Sequence, residues 1–128
     1  MTDLWRLDAT ELAHGIRTRR FSSREAVASC LARLDAVNPR INAVVDVLAE
    51  QALAAADAAD RGVASGRATG ALHGVAITVK INVDLAGRPT SNGIVALRDA
   101  IAVENAPVVD NFLRAGAVVI GRTNTPAF

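Results

Sequence analysis

Lys80 is the only lysine in this chain; the other 13 basic residues are all arginine. A guanidinium stays protonated in a protein, whereas an ammonium can lose its proton when suitably surrounded. The one lysine is therefore the first candidate for acid–base chemistry. It stands at the end of an apolar run within residues 72–93, LHGVAITVKINVDLAGRPTSNG, and Asn82 and Asp84 follow it at two-residue spacing. If strand alternation extends that far, Lys80, Asn82 and Asp84 emerge on one side. The same residues also describe a strand leaving the core with its polar end in water. Spacing alone leaves both readings open.

Other reactive side chains give weaker patterns. Ser22, Ser23, Ser29, Ser65 and Ser91 are available, but no G-x-S-x-G elbow surrounds any of them. Ser22 fits a helix cap, and Ser91, in the turn after the Lys80 strand, is a candidate lining residue for a substrate pocket. His14 and His73 lack metal-ligand spacing and the single Cys30 adds none, so neither a metal nor another cofactor is expected. His14 reads as a partly exposed helical residue and His73 as a packing residue at a strand start. Cys30 falls on an apolar helix face and reads as a small buried hydrophobe. Residues 116–123 approach a phosphate-binding loop, with Arg122 in the lysine position. The four residues between the glycines are strand formers and Pro126 follows too soon for a helix, which argues against nucleotide binding.

The elements that must position Lys80 follow from local signals. Asp8 with Glu11, and Ser22 with Glu25, are two capping boxes. The first predicts a helix ending near Arg19, and the second a helix to Val37, stopped by Asn38 and Pro39. Ala26, Val27, Cys30, Leu31, Leu34 and Val37 share one face of the second helix, leaving Arg33 and Asp35 wet. Residues 41–47 read as a short strand. Residues 48–61 read as an alanine-rich helix with Leu48, Ala52, Ala55 and Ala59 on one face. Residues 62–70, GVASGRATG, read as a loop. Val75, Ile77, Val79, Ile81 and Val83 then alternate as in a strand. Residues 87–93 are turn chemistry, and residues 94–105 show no clear period. Pro107 opens a helix carrying Val108, Val109, Phe112 and Leu113 to a stop at Gly116. Residues 117–120 form an apolar strand that Gly121 closes. Strand, helix and strand in that order predict a parallel pair in an α/β fold.

Composition sets the wider bounds. The 128 residues suit one domain, and alanine supplies 26 of the hydrophobic residues, so any core is thin. A net charge of +1 with interspersed signs gives no support for nucleic acid binding. Arg17, Arg19 and Arg20 form the one basic cluster and read as a solvated helix end. The single cysteine suits a reducing cytoplasm. Asp3, Arg6, Asp8 and Glu11 interrupt any signal-peptide core, and no apolar run reaches the ~20 residues of a membrane span. These features predict a soluble cytoplasmic protein.

Several ordered blocks resemble the N-terminal part of the amidase signature family. They are Leu72-His73-Gly74-Val75, Val79-Lys80, and Asn82-x-Asp84-x-Ala86-Gly87-x-Pro89-Thr90. Residues 121–128, GRTNTPAF, resemble the family's Gly-[Lys/Arg]-Thr-Asn-x-x-Glu-Phe segment, and residues 38–43 its Asn-Pro-x-x-Asn-Ala segment. Ile81 stands where many members carry Asp, and Ala127 where Glu is common. The resemblance implies an α/β/α sandwich with a mixed sheet flanked by helices. Residues 1–128 would then be the N-terminal part of a single domain, with 1–61 a mainly helical layer, 62–70 a loop, and 71–128 the start of the sheet.

It also implies an amidase acting on a small-molecule amide through a Ser–cis-Ser–Lys triad in which Lys80 matches the lysine. In that mechanism the neutral lysine accepts a proton through the middle serine, and the nucleophilic serine attacks the amide carbonyl. Both family serines lie downstream, so residues 1–128 alone are expected to hydrolyse no amide. The open sheet is expected to be covered by the missing C-terminal region or by another copy. Two other readings stand beside this one: a non-catalytic binding or assembly module, and the amidase subunit of an aminoacyl-tRNA amidotransferase.

Overall fold

A computed structural model describes residues 3–67 and 69–126. A 3₁₀ turn at Leu4–Arg6 leads into α1 (Ala9–Arg17), α2 (Ser23–Ile41), β1 (Val44–Val47) and α3 (Ala49–Ala64). There follow β2 (Ala76–Lys80), a second 3₁₀ turn at Val95–Leu97, α4 (Pro107–Arg114) and β3 (Val118–Thr123). The strands lie in the order β1-β3-β2. β2 and β3 are parallel, as the intervening α4 requires, and β1 is antiparallel to β3. The result is an α/β fold on a mixed sheet. Among the described residues, no helix is long and apolar enough to cross a membrane.

Both capping boxes form, Asp8 with Glu11 and Ser22 with Glu25, each satisfying two backbone donors reciprocally. Arg17, Arg19 and Arg20 are exposed at the end of α1. One core cluster joins Leu4, Leu12, Ala13, Ile16, Ala26 and Val75. Another places Val27 of α2 and Ala52 and Ala56 of α3 against Val118 and Ile120 of β3. The alanines carry little side chain, so α3 lies close to both α2 and the sheet.

The boundaries depart from the sequence expectations in five places. α2 runs through Asn38 and Pro39 to Ile41, so Ile41 belongs to the helix and β1 begins at Val44. Pro39 lies inside the last turn of the helix, which continues to Ile41 without the i→i−4 bond that a proline cannot donate. The Asn38 side chain meanwhile pairs with both the N–H and the carbonyl of Val44, at 2.9 Å each. Asn38 therefore straps β1 to the helix, and Asn42 ends the helix in the left-handed region at φ 48°.

α3 extends three residues into the expected 62–70 loop, and its buried face is Ala52, Ala56, Ala59 and Gly62. Ala55 is exposed. From Ala52 both three- and four-residue steps are helical, and packing against α2 selects the four-residue step. β2 ends at Lys80, where the Val83 N–H bonds back to the Lys80 carbonyl at 3.0 Å. β3 does not close at Gly121 but continues to Thr123. Within 94–105, Val95–Leu97 form the 3₁₀ turn, and Ile101 bridges Pro89.

Gly121 serves close approach rather than termination. A Cβ there would lie 2.6 Å from the Val44 Cγ1 and 3.0 Å from the Asp46 carbonyl oxygen. Register shifts flank it on both neighbours, between Ile77 and Thr78 and between Val44 and Asp46. Gly74, at φ +78°, likewise lets the entrance of β2 reach α2, since a Cβ would lie 2.7 Å from the Ser23 Oγ. Ser23 is wholly buried and donates its hydroxyl to the Gly74 carbonyl at 2.7 Å.

Ile16 is 2% exposed, whereas Leu31 is only half-buried beside its cluster. Ile16→Ala is expected to cost about 2–5 kcal/mol, and Leu31→Ala distinctly less. Denaturant unfolding of both variants beside the parent measures the difference, and equal losses would place Leu31 in the core after all.

Candidate active site

Lys80 is the last residue of β2, exposed, and paired in register with Thr123. The preceding pair is Val79 with Arg122, both buried. The pleat puts Val79 and Arg122 on one face and Lys80 and Thr123 on the other. The Thr123 carbonyl accepts the Ile81 N–H at 2.9 Å, so β3 holds the backbone immediately after the lysine.

The strand does not continue to carry Lys80, Asn82 and Asp84 on a common pleat, because the turn at residues 80–83 ends the alternation. All three side chains are nevertheless exposed. Asp84 accepts the Thr90 hydroxyl at 2.5 Å, and its carbonyl accepts the Ala106 N–H at 3.0 Å. Ser91 is half-buried and serves its own turn: its hydroxyl oxygen accepts the Gly93 N–H at 3.3 Å and its carbonyl the Ile94 N–H at 2.8 Å. Among the described residues, no hydrogen bond or ion pair joins Lys80 to Asn82, Asp84 or Ser91. Ala127 and Phe128 lie outside the described residues.

The residue that organises this end of the sheet is Arg122, which the sequence offered as a misplaced phosphate-loop cation and as the basic position of a family segment, with no structural role attached. Its side chain has no solvent exposure. The Nη1 donates to the Pro89 carbonyl, and the Nη2 donates to the carbonyls of Val83, at 2.8 Å, and Ile81, at 3.5 Å. All three acceptors belong to the segment that follows Lys80. Burial pulls the guanidinium below its ordinary pKa, Asp46 opposes that shift, Arg88 adds to it, and Asp84 opposes it. It remains a cation at any ordinary pH.

Asp46 on β1 is the register partner of Arg122, and Arg88 grips its carboxylate through both Nε, at 3.0 Å, and Nη2. The loop is thus tied to β1 by a two-pronged ion pair. Backbone bonds complete the frame, with Gly87 and Thr90 N–H groups donating to the Ala102 and Ala100 carbonyls. The signal for this network lay in an Arg, an Asp and a second Arg far apart in sequence; strand register pairs Asp46 with Arg122, and the loop after β2 brings Arg88 to them.

Elsewhere, the side chains serve packing. The His73 Nε2 lies 2.8 Å from the Ala59 carbonyl near the end of α3, which fixes that nitrogen as the donor. His14 is exposed. A cavity of about 840 Å³ is lined by Trp5, Phe21, Ser29 and Arg33 among others, and by neither Lys80 nor Ser91. Cys30 is half-buried, and burial pushes its thiol pKa up.

With this geometry in place, comparison with known proteins gives a consistent result. A family model described as Amidase matches residues 25–128. Indoleacetamide hydrolase of Bradyrhizobium diazoefficiens is 52% identical over 125 residues, covering 98% of this chain and 24% of that protein. A glutamyl-tRNA(Gln) amidotransferase subunit of Alkalilimnicola ehrlichii is 44% identical over 118 residues, covering 92% of this chain and 24% of that protein. The solved structure of a bacterial aryl acylamidase of the amidase signature family superposes with a TM-score of 0.90 at 27% identity, covering 94% of this chain and 26% of that one. The chain therefore spans about a quarter of the length of the relatives it matches.

A raised thiol pKa with partial burial leaves little reactive thiolate at Cys30. Alkylation by iodoacetamide near neutral pH is expected to be much slower in the folded chain than after denaturation. Mass spectrometry over time checks this, and equal rates would mark Cys30 as open and reactive.

Proposed function

Because the chain belongs to the amidase family, we propose that it forms the N-terminal quarter of an enzyme that hydrolyses a carboxylic amide, with Lys80 as the base. In this reading the neutral Lys80 takes a proton through a bridging serine, and a second serine attacks the amide carbonyl. The amine departs with a proton, and water then hydrolyses the acyl-enzyme. Both serines come from the family's downstream region. Ser91, in the turn after the lysine strand, belongs to the same reading as a residue on the substrate side. The substrate class is a small-molecule amide, the setting is cytoplasmic, and no cofactor is needed.

The observation that carries the reading is the placement of Lys80. The only lysine of the chain ends a strand within the segment that the family match covers. It sits immediately before a turn whose carbonyls a buried cation holds. The downstream region would also cover the apolar side chains left exposed here, including Val108, Phe112 and Leu113 of α4 and Val45 and Val47 of β1. The 44% identity to an amidotransferase subunit favours a second reading, in which the same chemistry releases ammonia for transfer. A glutamine-dependent transfer assay separates the two.

Lys80→Arg keeps the positive charge but provides no usable base. In the enzyme completed by the downstream region it is expected to lower amide turnover by at least ~100-fold with the fold intact. Residues 1–128 alone should turn over no amide, having neither nucleophile nor oxyanion donors from that region. Steady-state assays on aliphatic and aromatic amides test both statements. Wild-type turnover by a folded Lys80→Arg enzyme would remove Lys80 from the mechanism.

A further inference from the structure

We propose that Arg122 is the positioning residue for Lys80, acting through the turn that follows it. The inference rests on the reading of Lys80 as the base, and the contacts that Arg122 and Thr123 make around the following turn carry it.

Arg122 and Thr123 are neighbours on β3, and together they hold the chain on the far side of Lys80. The Thr123 carbonyl takes the Ile81 N–H, and the Arg122 guanidinium takes the carbonyls of Ile81, Val83 and Pro89. The Val83 N–H closes the turn on the Lys80 carbonyl at 3.0 Å. Val83 is therefore held on both sides, its N–H by the lysine backbone and its carbonyl by the guanidinium.

A lysine side chain has four rotatable bonds, so the direction it starts in depends on its backbone being fixed. Here strand pairing fixes one side of that backbone and Arg122 fixes the other. An apolar residue of similar size would fill the same space without desolvating a charge, and would leave three carbonyls without this donor. The buried cation is thus explained by what it grips rather than by the volume it occupies. A shift of about 1 Å at a reacting group costs on the order of 100-fold in rate, and the turn is the element whose loosening would produce such a shift.

The test uses the enzyme completed by the downstream region and the variants Arg122→Lys, Arg122→Gln and Arg122→Met, with Lys80→Ala as reference. For each, kcat, KM, thermal unfolding and the hydrogen-exchange protection of the Val83 amide are measured. Among variants that fold, kcat is expected to fall in step with Val83 protection while KM changes little. Arg122→Met should reach a loss on the order of 100-fold, and Arg122→Lys, which keeps the charge and some of the donors, should recover part of it.

A folded variant that loses Val83 protection yet keeps wild-type kcat overturns the proposal, as does one that loses kcat with protection intact. If none of the three variants folds, Arg122 is a stability residue only and the proposal is likewise overturned. Turnover retained by Lys80→Ala would instead overturn the underlying reading of the base, so the two failures are distinct.

Discussion

A guanidinium with no access to water must have its charge answered by the protein, and around Arg122 that requirement joins three separate parts of the chain. β3 supplies the cation, β1 supplies the facing carboxylate of Asp46, and the segment after β2 supplies the carbonyls of Ile81, Val83 and Pro89. Asp46 in turn holds Arg88 from the same segment. Each partner offsets a desolvation that would otherwise cost several kcal/mol. The match is incomplete in one place, because the Arg122 Nε is buried without a hydrogen-bond acceptor among the described residues. A network of this kind tolerates little displacement of any member, and that restriction gives the turn after Lys80 its definite shape.

The helix starts were legible in the sequence because a capping box is a local device. Asp8 with Glu11, and Ser22 with Glu25, each specify a helix start within four residues. The parallel pairing of β2 and β3 was legible for a related reason, since α4 lies between them and a parallel pair needs such a crossover. Helix phase and strand limits were less legible. Ala55 and Ala56 are chemically identical, and only the packing of α3 against α2 and β3 decides which is buried. Gly121 and Pro39 read as stops because their usual effect is to end an element. In the fold, one admits the backbone of β1, and the other stands inside the last turn of α2 without ending it.

The candidate site divides in the same way. Lys80 stood out as the only residue of its type, a property that needs no structure to see. Arg122 did not, because one arginine among 13 carries no mark of burial. Its importance comes from the register that sets it opposite Asp46 and beside Val79. Ser23 is similar: next to a capping serine and outside any catalytic motif, it carries no local mark of its role. Its burial and its bond to the Gly74 carbonyl make it the link between α2 and the start of the lysine strand.

The strand order has a further consequence for how the molecule is made. β1 and β2 do not touch each other in the sheet; both pair with β3, which is last in sequence. On a ribosome, α1 and α2 can start as they emerge, because their capping boxes are local. The sheet must wait until residue 123 has been delivered, and the two earlier strands stay unpaired until then. Long-range parallel pairing is intrinsically slow, and unpaired strand edges promote association. The nascent chain therefore passes through an interval in which α1 and α2 are formed while β1 and β2 lack a partner, and β3 supplies that partner together with the guanidinium that locks the lysine turn.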